Sequence, residues 1–467
     1  MENLRYQVAG HFGHRLGASF ETMEQLQLAL ETSEIADAAM VARMTLPEIE
    51  GDDKPKRCPI PDHIPRQEVE LKPGALACVD CGGRLRQIGE DVTEELEYIR
   101  GGFIVHLIVR PRLTCTCCER FSNTPLPSRP IEHGRPGPGL LAYVLLGKYA
   151  DHLPLYRQSQ IFCREGLDLD RSTLADWVGK STTLLEPLAD AIGRHVLSAD
   201  AIFADDTLVS MLTPDSRKTQ TARLWTYARD ERSWGGIAPS AAWYRFSGER
   251  KGRHPKDHLG RYRGWIHVDG YPRFQGLYRS AGIHEVPCMA RVRQKFIDIH
   301  LSQGSLITEE AIDRIAQLYA VEKIARGSSP GTRIEIRKAH AAPVFDDLEV
   351  WLAMQLTKIP AKSPLAAAIR YALARMDRLR PYLDHGILEL DNNAAERGMR
   401  AIDSGRKNYF LVGSEAGGKA AAIAYTLIET AKLNAVDPHS WLADTFARIM
   451  NDKITKIDDL LPWKWRR

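Results

Sequence analysis

Three acidic residues have the type and setting needed for metal-assisted chemistry. Asp205 lies in IFADDT and Asp269 in GWIHVDGY, each at the close of an apolar, β-branched or aromatic run. Glu396 lies in DNNAAERGMR, which has helix-forming composition. Carboxylates are hard oxygen ligands that suit Mg²⁺ or Mn²⁺, and several must converge to hold two ions about 4 Å apart around a phosphodiester. The order strand acid, strand acid, helix acid therefore predicts a two-metal phosphoryl-transfer site.

Each of these acids also has an ordinary explanation. An Asp at a strand end is commonly a turn residue, and Glu396 stands four residues before Arg400. On a helix that spacing gives a surface ion pair worth about 0.2–0.5 kcal/mol. The hypothesis therefore depends on the three side chains meeting in space.

Four cysteines form two Cys-x-x-Cys pairs, with Cys78 and Cys81 in ACVDCGG and Cys115 and Cys118 in CTCC. Two such pairs supply the four thiolates of a tetrahedral structural Zn²⁺ site, and Gly82 and Gly83 allow a tight turn beside the sulfur atoms. The segments EELEYI and FIVHLIVRPRLT between the pairs are typical of β-strands. The pattern predicts a zinc-binding domain.

The other cysteines leave alternatives open. Cys117 could replace Cys118 as a ligand, and Cys58 could join the site. Unrelated free thiols are the alternative to a zinc site. Cys163 and Cys288 lie in apolar contexts and are predicted to be small core residues.

Composition narrows the class of protein. With 467 residues, 44% of them hydrophobic and 26% charged, the chain is long enough for several folded units and too apolar for a disordered protein. It contains no apolar run near 18 residues, so no membrane partner is expected. The N-terminus lacks a secretory signal pattern, which predicts a cytoplasmic protein with reduced thiols. The net charge of +3 is too small to identify a nucleic-acid partner.

Helical periodicity dominates the stretch from about Gly137 to Leu197. A turn around Gly166 would separate two helices, the second carrying Arg171 and Lys180. Two interpretations stay open: a helix-turn-helix that contacts the major groove of DNA, and a plain helical connection. Earlier in the chain, a short helix is expected around Met23 to Glu31, and the proline-rich stretch from Gly51 to Pro73 is expected to be a linker.

Five short β-rich runs follow Ser198: ADAIFADDTLVSML, ARLWTYARD, AAWYRFS, GWIHVDGY and HEVPCMARV. Two adjacent central strands would place Asp205 and Asp269 side by side. The segment from Arg245 to Trp265 carries seven Lys or Arg residues against two acids. Among them Arg250, Lys251 and Arg253 are candidate DNA contacts, and Tyr262 and Trp265 are candidates for stacking, with a solvated hairpin as the alternative. Several helices are expected from Thr308 to Met376, with a break near GSSPGTR.

Seven ordered motifs resemble the transposases of the insertion sequence 66 family: DHLPLYRQSQIF, STLADWVG, RLWTYARD, AAWYRFS, HVDGY, LDNNAAERGMR and GRKNYFLVGSEAGG. The resemblance covers nearly the whole chain. It implies a ribonuclease-H-like catalytic domain of the DDE type, with a triad at Asp205, Asp269 and Glu396 and with Asp206 in a supporting role. One departure stands out: Cys288, Met289, Ala290 and Arg291 occupy the place where the family often has Cys-Trp-Ala-His.

The expected architecture is therefore a multidomain α+β protein with seven segments. These are an N-terminal helical segment (1–50), a zinc-binding domain (51–128), a helical and possible helix-turn-helix region (129–197), the first part of the catalytic core (198–300), a helical insertion (301–385), the second part of the core (386–450) and a C-terminal tail (451–467).

The expected activity is cleavage of DNA at element ends followed by strand transfer, with Mg²⁺ or Mn²⁺ on the acids and Zn²⁺ on the cysteines. Candidate phosphate contacts near Glu396 are Arg397, Arg400, Arg406 and Lys407. The expected partners are element-end and target DNA, a second copy in a dimer or higher synaptic oligomer, and accessory proteins of the same element, at the bacterial nucleoid. The alternatives are a zinc-containing regulatory DNA-binding derivative and a nuclease that cuts without joining.

Overall fold

The computed structural model describes residue 35 and residues 59–72, 77–99, 101–132, 134–212, 219–248, 253–270, 274–278, 282–408, 411–412, 414–451 and 454–466. The helix expected around Met23 to Glu31 lies outside these ranges. No helix within the described ranges combines the length and apolar character needed to cross a bilayer. The chain divides into two compact units, one formed by Met1–Leu188, Ser210–Gln220 and Gly405–Arg467, the other by Ala189–Val209 and Thr221–Ser404.

The first unit contains a four-stranded sheet. Its strands are β1 (Arg66–Glu70), β2 (Leu85–Ile99), β3 (Gly102–Cys115) and β4 (Phe121–Asn123). β2 and β4 pair antiparallel with β3, and β1 pairs parallel with β3. Val105 and Ile108 of β3 are buried in the core of this sheet. The two long strands confirm the prediction for the segment between the cysteine pairs.

The prediction of a linker from Gly51 to Pro73 is wrong for its later part. Residues 66–70 form β1, with Arg66 opposite Val105 and Glu70 opposite Val109. The Arg66 guanidinium donates to the carbonyl oxygens of Pro61 and Ile64, which fixes the proline-containing turn before the strand. Prolines break helices, but they do not prevent the following residues from adding to a sheet edge.

Among the described residues, the first unit also contains five α-helical segments. They are α1 (Pro138–Tyr149), α2 (Leu155–Arg164), the start of α3 (Arg171–Leu197), α12 (Glu415–Leu433) and α13 (Pro438–Arg448). A short strand, β10 (Leu411–Val412), pairs parallel with Ser210 and Met211 of β5 (Ala201–Leu212). The Glu97 carboxylate accepts from the backbone N–H groups of Gly139 and Leu140 and so caps α1. The turn between α2 and α3 contains Gly166 with φ +81°, as its glycine predicts.

The second unit is built on a sheet with the order β7-β6-β5-β8-β9. Besides β5, its strands are β6 (Thr219–Arg229), β7 (Ala241–Ser247), β8 (Gly264–Val268) and β9 (Ile283–Pro287). β8 is parallel to both β5 and β9, whereas β6 and β7 are antiparallel. All five predicted strands are present, and the predicted adjacency of β5 and β8 is confirmed. The last predicted run turns helical after Pro287.

Helices fill most of the remainder of this unit. They are α4 (Arg253–Leu259), α5 (Gln275–Tyr278), α6 (Met289–Gln303), α7 (Leu306–Ala325), α8 (Pro330–Ile336) with a π-helical turn (Arg337–Ala341), α9 (Ala342–Lys358), α10 (Pro364–Leu379) and α11 (Asn393–Asn408). Helices α6 to α10 share one apolar core that includes Phe296, Ile315, Phe345 and Ile369. The expected helices and the break between α7 and α8 are thus confirmed, and the chain is a mixed α/β protein.

Candidate active site and zinc centre

The cysteine cluster of the first unit has the geometry of a four-thiolate metal site. The Sγ atoms of Cys78, Cys81, Cys115 and Cys118 all lie within 4.8 Å of one another. Three Sγ–Sγ distances are 3.4–3.5 Å: Cys78 to Cys118, Cys81 to Cys115 and Cys81 to Cys118. Tetrahedral Zn²⁺ with Zn–S bonds of about 2.3 Å sets its sulfur atoms about 3.8 Å apart. The four thiols fit Zn²⁺.

Backbone amides favour the thiolate form in this cluster. Hydrogen bonds from the backbone of Cys118 and Cys117 lower the pKa of Cys115 to about 6, and the Cys117 N–H lies 3.3 Å from its Sγ. Backbone hydrogen bonds from Cys81 and Asp80 likewise lower the pKa of Cys78. Because a thiolate binds the metal, these amides favour metal uptake.

The structure decides between the adjacent cysteines. Cys118 belongs to the cluster, whereas Cys117 lies outside it and is exposed. Cys58 is outside the described residues. Cys163 is exposed on α2, so the prediction that it packs in the core is wrong.

Replacing Gly83 by Ala should disrupt the zinc centre. A Cβ at this position would lie 2.8 Å from the Cβ of Cys117 and 2.9 Å from the Sγ of Cys115. We expect zinc affinity to fall about 10-fold or more, the scale seen when groups supporting metal ligands are lost. Competition with a colorimetric chelator measures it. Gly89→Ala is the matched control, because nothing lies within 4 Å of the added Cβ there; equal affinities in the two variants would contradict the prediction.

A second cluster lies in the other unit. Ligand atoms of Asp269, Cys288 and Glu396 all lie within 4.8 Å of one another. Cys288 is buried, and Asp269 and Glu396 are half-buried. Two of the three predicted acids therefore meet, although they are far apart in the sequence. The carboxylates of Asp269 and Glu396 could share one divalent ion.

Asp205 lies beside this cluster without belonging to the 4.8 Å group. Burial, followed by the negative charges of Asp269 and Glu396, raises the pKa of Asp205 to about 7. Burial and Asp269 also raise the pKa of Glu396. A divalent cation would stabilise the charged forms of Asp205 and Glu396, which burial and the neighbouring carboxylates disfavour.

The sheet brings Asp205 and Asp269 together. Phe203 of β5 lies opposite His267 of β8, and continuing this parallel register sets Asp205 opposite Asp269. Asp269 follows the last residue of β8, as predicted. Asp205, in contrast, lies inside β5, which continues to Leu212, so the prediction that it ends a strand is wrong. A residue inside a strand also projects its side chain from one face of the sheet.

Asn392 links the helix that carries Glu396 to Ala204 and to Cys288. This fully buried residue directly precedes α11, whose first turn carries Glu396. Its side-chain amide donates to the Ala204 carbonyl at 3.0 Å, and its backbone N–H lies 3.4 Å from the Sγ of Cys288. The start of α11 is thereby fixed to the residue before Asp205.

His267 adds a second tie within the sheet. It is buried, its Nδ1 lies 3.2 Å from the Ile202 carbonyl, and its Nε2 accepts from the Glu389 N–H at 2.9 Å. Burial lowers the pKa of His267 to about 4, so the ring is neutral at pH 7. A neutral imidazole can donate on one side and accept on the other, as both contacts require.

The sequence did not predict that Cys288 and Arg291 lie close to the acids. Cys288 is buried, as predicted, but it lies in the acid cluster rather than in a purely apolar core. Arg291 carries a positive charge that partly offsets the rise in the pKa of Asp205 and Glu396. Asp206 forms an ion pair with Arg223, and both side chains are buried.

The candidate DNA contacts have mixed outcomes. Arg400 is exposed, whereas Arg397 pairs with Asp230 at 3.0 Å. Among the described residues, no salt bridge joins Glu396 to Arg400. Arg250 and Lys251 lie outside the described residues, and so do the side chains of Arg253, Arg406 and Lys407.

The aromatic part of the basic segment does not have the predicted exposure. Tyr262 is buried and its hydroxyl donates to the Trp265 carbonyl at 3.0 Å. The prediction that Tyr262 offers a stacking surface is therefore wrong.

The raised pKa of Asp205 predicts a pH-dependent stability. The folded protein holds this proton up to about pH 7, whereas an unfolded Asp releases it near pH 3.8. Without added divalent ions, the free energy of unfolding should fall as the pH rises through this window, by up to about 4 kcal/mol. Urea unfolding at pH 5 and pH 8 measures it, with zinc retained. Asp205→Asn should remove most of this dependence, and an unchanged dependence would contradict the assignment.

Comparison with known proteins identifies the family. The family model described as "Transposase IS66 family" matches residues 133–420, which include all three acids. The "zinc-finger binding domain of transposase IS66" matches residues 66–119 and the "IS66 C-terminal element" matches residues 426–463. The chain belongs to the IS66 family of transposases.

Similar full-length proteins occur in Sinorhizobium fredii (strain NBRC 101917 / NGR234). Uncharacterized protein y4hP is 38% identical over 489 residues, covering 100% of this chain and 88% of that protein. Uncharacterized protein y4jD is 36% identical over 416 residues, covering 87% and 81%, and uncharacterized protein y4qI is 36% identical over 464 residues, covering 95% and 86%. The similarity to y4hP therefore extends over both metal-site candidates.

Proposed function

We propose that this protein cuts DNA at the ends of an insertion element and joins those ends to target DNA, with Asp205, Asp269 and Glu396 as the catalytic acids. The observation that carries the proposal is the meeting of Asp269 and Glu396 within 4.8 Å, next to an Asp205 whose pKa these two acids raise. Clustered carboxylates in a half-buried site are the arrangement that holds Mg²⁺ or Mn²⁺ for phosphoryl transfer.

The sheet supports a ribonuclease-H-like assignment for the catalytic unit. β5, β6 and β7 are neighbours in chain order, and β8 and β9 follow on the other side of β5, parallel to each other. The first acid lies on the central strand, the second follows the strand beside it, and the third lies on α11. The helices within residues 301–385 are then an insertion into this core.

The residues of the site have different roles in the proposed reaction. Asp205, Asp269 and Glu396 would hold the metal, and Asn392 and His267 hold the backbone segments that carry these acids. When bound, two divalent ions supply an activated water or 3′-hydroxyl and a stabilised leaving oxygen. The exposed Arg400 is available for a DNA phosphate. The zinc domain and the α2–α3 hairpin would recognise element ends, with a dimer or synaptic oligomer increasing the avidity.

The test is an in vitro reaction of the full chain with element-end DNA, target DNA and Mg²⁺. Joined products would support the transposase. Cut ends without joining would indicate a nuclease, and binding without either product would indicate a regulatory DNA-binding derivative. Adding accessory proteins of the same element to a parallel reaction tests whether they are needed.

A further inference from the structure

An aromatic side chain and two cations border the acid cluster on helices α6 and α10. The Tyr371 hydroxyl donates to the backbone carbonyl of Asp269 at 3.3 Å. The Arg375 guanidinium lies 3.5 Å from the centroid of the Tyr371 ring, and the Lys295 ammonium lies 4.6 Å from it. Lys295, Tyr371 and Arg375 are called the Tyr371 patch below. The patch is therefore anchored to the residue that carries a catalytic acid.

The backbone beside Asp269 is shaped to receive this patch. Gly270 has φ +73°, and a Cβ there would lie 2.9 Å from both Nε and Nη2 of Arg375. The guanidinium thus packs against a backbone position that only glycine occupies without strain. Arg375 Nη1 also donates to the Tyr371 carbonyl at 3.1 Å, and its Nε is buried with no hydrogen-bond partner among the described residues.

Among the residues that the structure describes, the charges of this patch have no carboxylate partner. Within the described ranges, no carboxylate lies within 4.0 Å of the Lys295 ammonium or the Arg375 guanidinium. Arg314, on α7, shows the contrast: it lies 5.0 Å from the centroid of the Trp351 ring but pairs with Glu310 at 2.7 Å and with Asp347. Among the described residues, neither Lys295 nor Arg375 forms a salt bridge with Asp269 or Glu396. Their charge therefore remains available to an external anion.

We propose that the Tyr371 patch binds a backbone phosphate of the DNA next to the phosphate held at the acids. This inference rests on the proposed function. Arg375, which packs against Gly270, and Lys295, which lies over the Tyr371 ring, together complement a phosphodiester, and the Nη atoms of Arg375 are donors that phosphate oxygens accept. The Tyr371 ring already contacts both cations, so it orients them instead of stacking on a base. The contact is independent of sequence, and it gives the helical insertion a direct role in holding the substrate.

The salt dependence of DNA binding tests this contact. The full chain carrying Lys295→Ala and Arg375→Ala is titrated with a blunt duplex of arbitrary sequence over a series of KCl concentrations. Losing one phosphate contact should reduce the magnitude of the negative slope of log K against log salt by about 1 and weaken binding about 10-fold. The matched control is Arg314→Ala with Lys323→Ala, which removes the same two residue types from the insertion and should leave the slope unchanged.

A second variant separates loss of charge from loss of fold. Lys295→Arg with Arg375→Lys keeps both charges and should restore the slope of the wild type. Two results would overturn the role of the patch while leaving the proposed function intact. One is a slope for the alanine variant equal to that of the control variant. The other is an exchange variant that folds but does not restore the wild-type slope. A wild-type chain that binds no duplex at all would overturn both.

Discussion

Replacing Asp205 by Asn is expected to lower DNA cleavage and joining about 10³-fold or more. A metal ligand supports several kcal/mol of transition-state stabilisation, and each 1.36 kcal/mol corresponds to a factor of ten in rate. The change also removes a carboxylate whose charge interacts with that of Asp269, while keeping nearly the same shape. Binding of DNA should persist, because the loss of a carboxylate does not weaken phosphate contacts. Gel assays of cut and joined products, with Kd measured in parallel, check both statements.

The matched control for this prediction is Asp298→Asn. Asp298 is an exposed carboxylate on α6 that accepts a hydrogen bond from Gln294 at 2.8 Å. The same chemical change there should leave both products near wild-type levels. Undiminished joining by the Asp205 variant would exclude Asp205 from the catalytic site, and equal losses in both variants would point to a general effect on folding.

Replacing Arg337 by Met is expected to lower the free energy of unfolding of the second unit by about 3–5 kcal/mol. Arg337 is fully buried and binds the Glu322 carboxylate through Nε and Nη2, each at 2.7 Å. It also donates to the carbonyl oxygens of Tyr382 and Leu388 at 2.7 and 2.8 Å. Its loss leaves the buried Glu322 with Arg333 at 3.1 Å and removes a donor from three carbonyl groups, those of Tyr382, His385 and Leu388.

Urea unfolding followed by circular dichroism measures this effect. Arg380→Met is the control, because Arg380 is 41% exposed in its pairs with Asp346 and Glu349 and should cost no more than about 1 kcal/mol. Changing Glu322 to Gln in the Arg337→Met background should recover part of the loss, since the buried charge is then removed. A loss below 1 kcal/mol for Arg337→Met would contradict the interpretation of a buried ion network.

Local sequence patterns predicted the elements around the acids well. β-branched and aromatic runs identified the five strands from β5 to β9, since such residues suit a pleated and partly buried surface. The cysteine spacing identified the four thiols of the metal site, because Cys-x-x-Cys places two sulfur atoms on one turn. In both cases the informative residues lie close together in the chain.

Contacts between distant segments were harder to predict. β1 was missed because its strand character comes from pairing with β3, about forty residues later. Tyr262 was misjudged because its burial depends on the strand that follows it and on the packing of the second unit. Residue type alone gives no indication of such contacts.

By itself, the sequence determined which side chains could serve as metal ligands: two cysteine pairs with the spacing of a Zn²⁺ site and three separate acids. Only the tertiary structure decided which side chains meet. It placed Asp269 beside Glu396 and Cys288, chose Cys118 over Cys117, and fixed α11 to β5 through Asn392. The physical reason is that ligand chemistry belongs to individual side chains, whereas the distances between them are set by strand register and by hydrogen bonds between segments far apart in the chain.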